Sequence, residues 1–250
     1  MSRPVMLITG AVRGIGAAVA RAAAPSHDLV VNHVSPRSPG DHVDALVDDL
    51  TALGAAVLVH RADVADEEQV VAMFRAIDGH FGRLDVLVNN AGIAGGYGTL
   101  DTVGATMLAG LWAVNVTGPF VCAREAAARM ATDRGGRGGS IVNVSSRAAV
   151  LGGSGEWVHY AASKGAIDTM TVGLAKELAT VGIRVNAVRP GLVESDFHDH
   201  APAGRLDRLA PTVPMGRAGT ADEVAGAVRW LVSDEASFVT GAFIDIGGGR

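Results

Sequence analysis

Short apolar runs rich in β-branched residues recur along the chain at 5–9, 29–31, 56–59, 86–88, 141–144, 183–188 and 242–246. Runs of this length with few polar interruptions fit strands buried on both faces. The stretches between them are longer and carry Ala, Leu, Val and charged residues at helical period, as at 41–53, 67–80, 103–130 and 157–180. Strand alternating with helix predicts an α/β fold: a doubly wound parallel sheet of about seven strands, with right-handed crossovers and helices on both faces. Residues 1–250 are expected to form one domain, because the Gly-rich turn at 135–139 is too short to separate two. The ligands of such a sheet bind beyond the carboxyl ends of its strands. Residues 192–219 form a long Pro- and Gly-containing stretch with only a short helical piece near 205–209. An insertion of that length in a compact domain is expected to be a substrate lid or a tolerated surface loop.

Composition narrows the function classes. A chain of 250 residues that is 48% hydrophobic and 19% charged has the material for one large buried core and is not disordered. A net charge of −5 without a basic run excludes a phosphate-backbone binder, so no nucleic-acid partner is expected. The single Cys122 lies in an apolar stretch and has no internal disulfide partner, which fits a reducing, cytoplasmic setting. The first apolar run is too short for a secretory segment. No stretch approaches the ~18 apolar residues that span a bilayer, so neither membrane association nor processing is expected.

Against nineteen arginines the chain has two lysines, Lys164 and Lys176, and two tyrosines, Tyr97 and Tyr160. Tyr160 and Lys164 are four apart, which on a helix places them on one face. An ammonium beside a phenol favours the phenolate and is expected to draw its pKa from about 10 toward working pH, giving a general acid/base. The plainer alternative is a half-buried Tyr and a solvated Lys on an amphipathic helix. Gly10, Gly14 and Gly16 lie where the first strand runs into the first helix, in Thr9-Gly10-Ala11-Val12-Arg13-Gly14-Ile15-Gly16. Glycines at such a junction let the backbone approach a pyrophosphate, whose charge the helix N-terminus attracts.

With these motifs together the sequence resembles the short-chain dehydrogenase/reductase family over essentially its whole length. Asn89-Asn90-Ala91-Gly92 is similar to that family's N-N-A-G turn, and Asn115 to its helix asparagine. Ser145-Ser146 stands where the family has its active-site serine, and Pro190-Gly191 with Ser195 resembles its P-G-x-x-x-T segment, with Ser for Thr. Val239-Thr240-Gly241 and the ending at 245–249 also fit. One spacing departs: the family serine stands thirteen residues before the tyrosine, a position held here by Arg147, while Ser146 is fourteen before it. An extra residue within 151–157, absorbed by Gly152, Gly153 and Gly155, would restore Ser146; Ser145 and Ser154 remain lesser candidates.

The resemblance implies a Rossmann-type fold and an oxidoreductase that interconverts a carbonyl and an alcohol by hydride transfer. Tyr160 would be the acid/base and Ser146 would hold the same oxygen. Lys164 would bind the nicotinamide ribose, and Asn115 would extend a water-mediated relay. Cofactor contacts would come from Gly10, Arg13, Gly14, Ile15, Gly16, Asn32, His33, Asp63, Val64, Asn90, Ala91, Gly92, Pro190, Gly191, Val193 and Ser195. Asp63 could instead cap the following helix. The end of the second strand has no acid before Asp41, while Arg13, Ser35 and Arg37 offer donors to a 2′-phosphate, so NADP(H) is favoured, with NAD(H) possible. An NAD-dependent alcohol or sugar dehydrogenase, a 3-oxoacyl thioester reductase and a non-catalytic NADP-binding sensor are the alternatives. His198, Asp199 and His200 are bunched in sequence without a distant third ligand, and no metal site is expected. Trp112, Trp157 and Trp230 are read as packing. The family's subunit-pairing helices correspond to 103–130 and 157–180, which implies a homo-oligomer, a dimer or tetramer. Small, mixed residues at 93–100 and 192–219 leave the carbonyl or alcohol substrate unnamed.

Overall fold

The computed structural model describes residues 3–34, 40–195 and 201–250. Seven strands form one parallel sheet in the order β3-β2-β1-β4-β5-β6-β7. They are β1 (Val5–Ile8), β2 (Asp28–His33), β3 (Val57–Arg61), β4 (Val86–Asn89), β5 (Gly139–Val144), β6 (Ile183–Pro190) and β7 (Phe243–Ile246). Sequence order reverses between β1 and β4, whose neighbours run Met6 beside Val86 and Ile8 beside Val88. This is the switch point at which the crossovers diverge and leave a crevice.

Alternation along each strand divides the core into two layers. Met6, Ile8, Leu29, Val31, Val86, Val88, Val142 and Val144 face one side, with α1 (Gly14–Ala23), α2 (Gly40–Ala52) and α9 (Ala221–Val232). Val5, Leu7, Val30, Leu87, Ile141, Ile183 and Val185 face the other, with α3 (Glu67–Phe81), α5 (Gly118–Met130) and α7 (Val158–Leu178). Period-two side chains on both faces explain why these strands read as continuous apolar runs. Ala17, Ala18 and Ala20 are buried with Val224, Ala225 and Val228, so the small residues of α1 let α9 pack close. Two helices start on side-chain caps. Asp66 accepts from the Glu68 and Gln69 amides, while Thr220 and Glu223 close a reciprocal capping box.

The stretch expected as one helix over 103–130 is instead α4 (Ala105–Trp112), a π turn (Ala113–Thr117) and α5. Buried Asn115 sits in that π turn, and Pro119 follows at the first turn of α5. A short helix, α6 (Ala148–Leu151), follows β5, and α8 (Arg205–Leu209) coincides with the helical piece expected in the long insertion. The expectation that no stretch has membrane-spanning character is corrected: among the described residues, the helical run Ala105–Met130 is long and apolar enough. Here its α5 part lies against the sheet, with Cys122, Ala123, Ala126 and Met130 in the core. Burial pushes the Cys122 thiol up to about 12, which leaves it an inert apolar filler.

Candidate active site

The carboxyl ends of the strands open into a cleft of about 1410 Å³. Its floor is a stitched pair of turns. Thr9 Oγ1 accepts from the amides of Asn90 and Ala91, both at 3.0 Å. Asn90 Nδ2 donates to the carbonyls of Thr9 at 2.8 Å and Gly10 at 3.0 Å. Asn32 Oδ1 accepts from the Gly10 amide at 3.2 Å, and Asn32 Nδ2 donates to the carbonyls of Ala62 and His60 at 2.9 and 3.3 Å. The Asn32 side chain thus serves as a brace beneath the loop.

Gly10 and Gly14 have φ of 63° and 53°, a region that costs other residues 1 kcal/mol or more. Gly16 is required by space, since a Cβ there would lie 2.4 Å from the Gly10 carbonyl oxygen and 2.7 Å from Asn90 Nδ2. The α1 N-terminus has no side-chain cap and no acid in its first turn. Its first amides and dipole therefore point to an anion-binding cradle. A nucleotide pyrophosphate fits this cradle.

Around it the cleft is lined by Arg13, Gly14, Ile15, His33, Asp63, Val64, Asn90, Ala91 and Gly92, then by Pro190, Gly191, Val193 and Ser195. Gly16 lies behind this wall. Asp63 is not the helix cap, a role taken by Asp66; its Oδ1 accepts from the Ala65 amide at 2.9 Å in a short turn beside the cleft. Ser35, Arg37 and the 197–200 cluster lie outside the described residues.

Tyr160 and Lys164 enter from α7 and are buried. Ser146, just beyond β5, hydrogen-bonds the Tyr160 phenol, and its Oγ accepts from the Ala148 amide at 3.1 Å. Ser145 is committed elsewhere, donating to Asp168 Oδ1 at 2.6 Å and to the Lys164 carbonyl at 3.2 Å. Ser154 lies on the cleft wall. Arg147 turns toward the chain end, pairing with Asp245 and donating to the Arg250 carbonyl at 2.8 Å. The intervening loop is shaped by Gly152, Gly153 and Gly155, all at positive φ.

The phenol's electrostatics differ from the sequence expectation. Burial pushes Tyr160 up to about 12 against the hydrogen bond from Ser146. Lys164 Nζ lies 5.7 Å from the ring centroid and donates to the Val144 carbonyl at 2.7 Å. Burial also pulls Lys164 down to about 8, against the attraction of Asp168. Desolvation outweighs the opposing hydrogen bond of Ser146, so the Tyr160 phenol is held in its protonated form. Asn115 stands behind Gly92, with its Oδ1 accepting from the Ile93 amide at 2.9 Å. Its Nδ2 donates to the Ile93 carbonyl at 2.9 Å and to Ser163 Oγ at 3.1 Å.

Sequence reasoning passed over Glu156, Arg205 and Arg208 at the cleft mouth. Glu156 is the sole acid between Asp133 and Asp168, a signal available in the sequence. Trp157 is a buried wall of the cleft, whereas Trp112 and Trp230 are each 39% exposed and are only partly packing residues.

The family model described as enoyl-(acyl carrier protein) reductase matches residues 10–250. An oxidoreductase of Escherichia coli, named uncharacterized oxidoreductase YgfF, is 49% identical over 98% of this chain and 99% of its own. The 3-oxoacyl-[acyl-carrier-protein] reductase FabG of Staphylococcus aureus is 35% identical over 97% of this chain and 96% of its own. A short-chain type dehydrogenase/reductase from Mycobacterium marinum superposes with a TM-score of 0.92 at 32% identity, covering 99% of this chain and 95% of that one. A metagenomic blue fluorescent protein in complex with NADPH superposes with a TM-score of 0.89 at 35% identity, over 98% and 97%. Sequence, sheet order and the glycine-lined crevice agree: the chain belongs to the short-chain dehydrogenase/reductase family, oxidoreductases that use nicotinamide cofactors on carbonyl and alcohol groups.

Proposed function

We propose that this protein is an NADP(H)-dependent carbonyl reductase with Tyr160 as its proton donor. The observation that carries this reading is the buried phenol, hydrogen-bonded by Ser146 and kept protonated, in the same cleft as the glycine cradle. Reduction needs an acid at the carbonyl oxygen, and a phenol at about 12 is in that form at every working pH. Tyr160 donates its proton to the substrate oxygen, and Ser146 stabilises the charge that develops there. The bound nicotinamide supplies the hydride. Lys164 holds the nicotinamide ribose, Gly10, Gly14 and the α1 amides hold the pyrophosphate, and Ser195 orients the carboxamide. Asn115, anchored on Ile93, keeps the Gly92 turn in place beside Lys164.

The preference for NADP(H) over NAD(H) rests on the end of β2. Asn32 and His33 stand where an acid would accept from a ribose 2′-hydroxyl, and Arg13 lines the cleft. His33 Nδ1 is buried without a partner among the described residues. The NADPH complex of the metagenomic relative supports the same direction. In a tryptophan-fluorescence titration NADPH is expected to bind at least tenfold more tightly than NADH, about 1.4 kcal/mol. Tighter NADH binding would overturn the phosphate assignment.

Reduction of a 3-oxoacyl thioester is a second reading, favoured by the 35% identical FabG relative. Residues 192–219 are proposed to cover the substrate, since Arg205, Arg208 and Leu209 line the cleft. The outer faces of α4, α5 and α7 expose Trp112, Phe120 and Val172. We propose that two or four copies pair there, and light scattering should give a dimer or tetramer mass; a monomer at working concentration sinks this proposal.

A further inference from the structure

At the mouth of the cleft, Glu156 is the meeting point of three separate segments. Its backbone carbonyl accepts from the Gly98 amide at 3.0 Å, and its Oε1 accepts from the Tyr97 hydroxyl at 3.5 Å, tying it to the turn before α4. Its Oε2 accepts from Arg205 Nη2 at 2.6 Å and Nε at 3.2 Å, and Arg208 Nη2 reaches its Oε1 at 3.3 Å. Both arginines belong to α8. The third segment is its own loop, which Gly153 and Gly155 bend through positive φ; a Cβ on Gly153 would lie 2.7 Å from the Trp157 carbonyl oxygen.

Arg205 serves a second partner. Its guanidinium carbon lies 4.3 Å from the centroid of the Trp157 ring, so a planar cation is held between a carboxylate and an aromatic face. Trp157 in turn meets Tyr160 edge-on at 6.2 Å and Tyr97 at 5.9 Å. The Arg205 side chain is 10% exposed and that of Glu156 is 22%, so water screens this pair less than a surface pair. Burial pushes the Glu156 carboxyl up. The hydrogen bond and charge of Arg205, then Arg208 and Tyr97, outweigh that and hold it below the usual carboxylate range.

We propose that Glu156 and Arg205 are positioning residues for carbonyl reduction: together they clamp α8 across the substrate end of the cleft and, through the Trp157 ring, fix the setting of Tyr160. The clamp acts through Tyr160 and therefore rests on the reading of that residue as the proton donor. The clamp joins Glu156, in the loop before α7, to Arg205 of α8. Leu206 and Leu209 pack on a small cluster with Leu192, Val213 and Ala218, which steadies α8 from its other side.

Glu156→Gln keeps the side chain's size and removes its charge, and Arg205→Gln removes both the cation and its ring contact. Each is expected to raise the KM for the carbonyl about tenfold and lower kcat about threefold, while NADPH affinity stays within about twofold. The double variant should lose less than the two single effects combined, because both remove the shared Glu156–Arg205 contact. Backbone hydrogen exchange over 201–212 should quicken in both variants. Unchanged KM and unchanged exchange would overturn the clamp. If exchange quickens but Tyr160→Phe remains active, the clamp stands and the assignment of Tyr160 falls.

Discussion

Tyr160→Phe is expected to lower kcat for carbonyl reduction by a hundredfold or more, with NADPH affinity within about twofold of the parent. The change deletes one hydroxyl and leaves the ring, so the edge contact with Trp157 at 6.2 Å is kept. The hydroxyl's other partner is Ser146, which can turn to its neighbouring backbone, so folding stability should fall by no more than about 1 kcal/mol. The measurement is steady-state NADPH oxidation with a panel of ketones, aldehydes and acyl thioesters, alongside a binding titration. Retention of more than about a tenth of the parent rate would remove Tyr160 from acid catalysis. Loss of NADPH binding would instead mean that the substitution had damaged the cradle.

Lys164→Met has a different signature, visible in stability as well as turnover. Burial lowers the Lys164 pKa from 10.5 to about 8. Below about 8 the folded protein holds a desolvated ammonium at a cost; above 10.5 the amine is neutral in both folded and unfolded chains and the cost is gone. The parent therefore gains about 3 kcal/mol of stability as pH rises from 8 to 10.5, a gain the methionine variant lacks. Tyr160 contributes the opposite trend, because its folded pKa of about 12 exceeds the usual 10. That contribution is common to both proteins and cancels in their difference. Urea unfolding at pH 7.5 and pH 10 measures it, and parallel curves would show that the ammonium carries no desolvation cost. The variant should also bind NADPH about ten- to a hundredfold more weakly, since hydrogen bonds from a charged donor are lost. Tyr160→Phe should not do so.

The sheet was legible because strands buried on both faces leave unbroken apolar runs, and all seven appear within a few residues of their expected limits. The break in the 103–130 helix was not. Asn115 sits in the π turn with its side-chain amide bonded to the Ile93 backbone, and no periodicity announces a tertiary hydrogen bond. The glycine turn was readable from its spacing together with its place between the first strand and the first helix, although the space that Gly16 must leave free is set in part by the distant Asn90. The Tyr160 environment was not, because desolvation depends on what the fold piles around a residue, and four-residue spacing reports only which helix face it occupies. Asn32 could be read as an end-of-strand residue, but its task of tying Gly10 to the Ala62 carbonyl needs β3 beside β2. Glu156 and Arg205 are far apart in sequence and meet only because the insertion folds back over the cleft.

That insertion is closed at its root by a short parallel bridge between Val193 and Gly219. The Gly219 amide donates to Leu192 at 2.8 Å and the Glu194 amide to Gly219 at 2.9 Å. A loop whose two ends are bolted side by side hands no strain to the sheet when its contents lengthen or shorten, and doubling such a span adds only about 0.6 kcal/mol of closure entropy. On the proposal that this insertion covers the substrate, exchange of residues 201–218 would change which substrates are admitted while Ser195 and the glycine turn at the start of α1 keep their places.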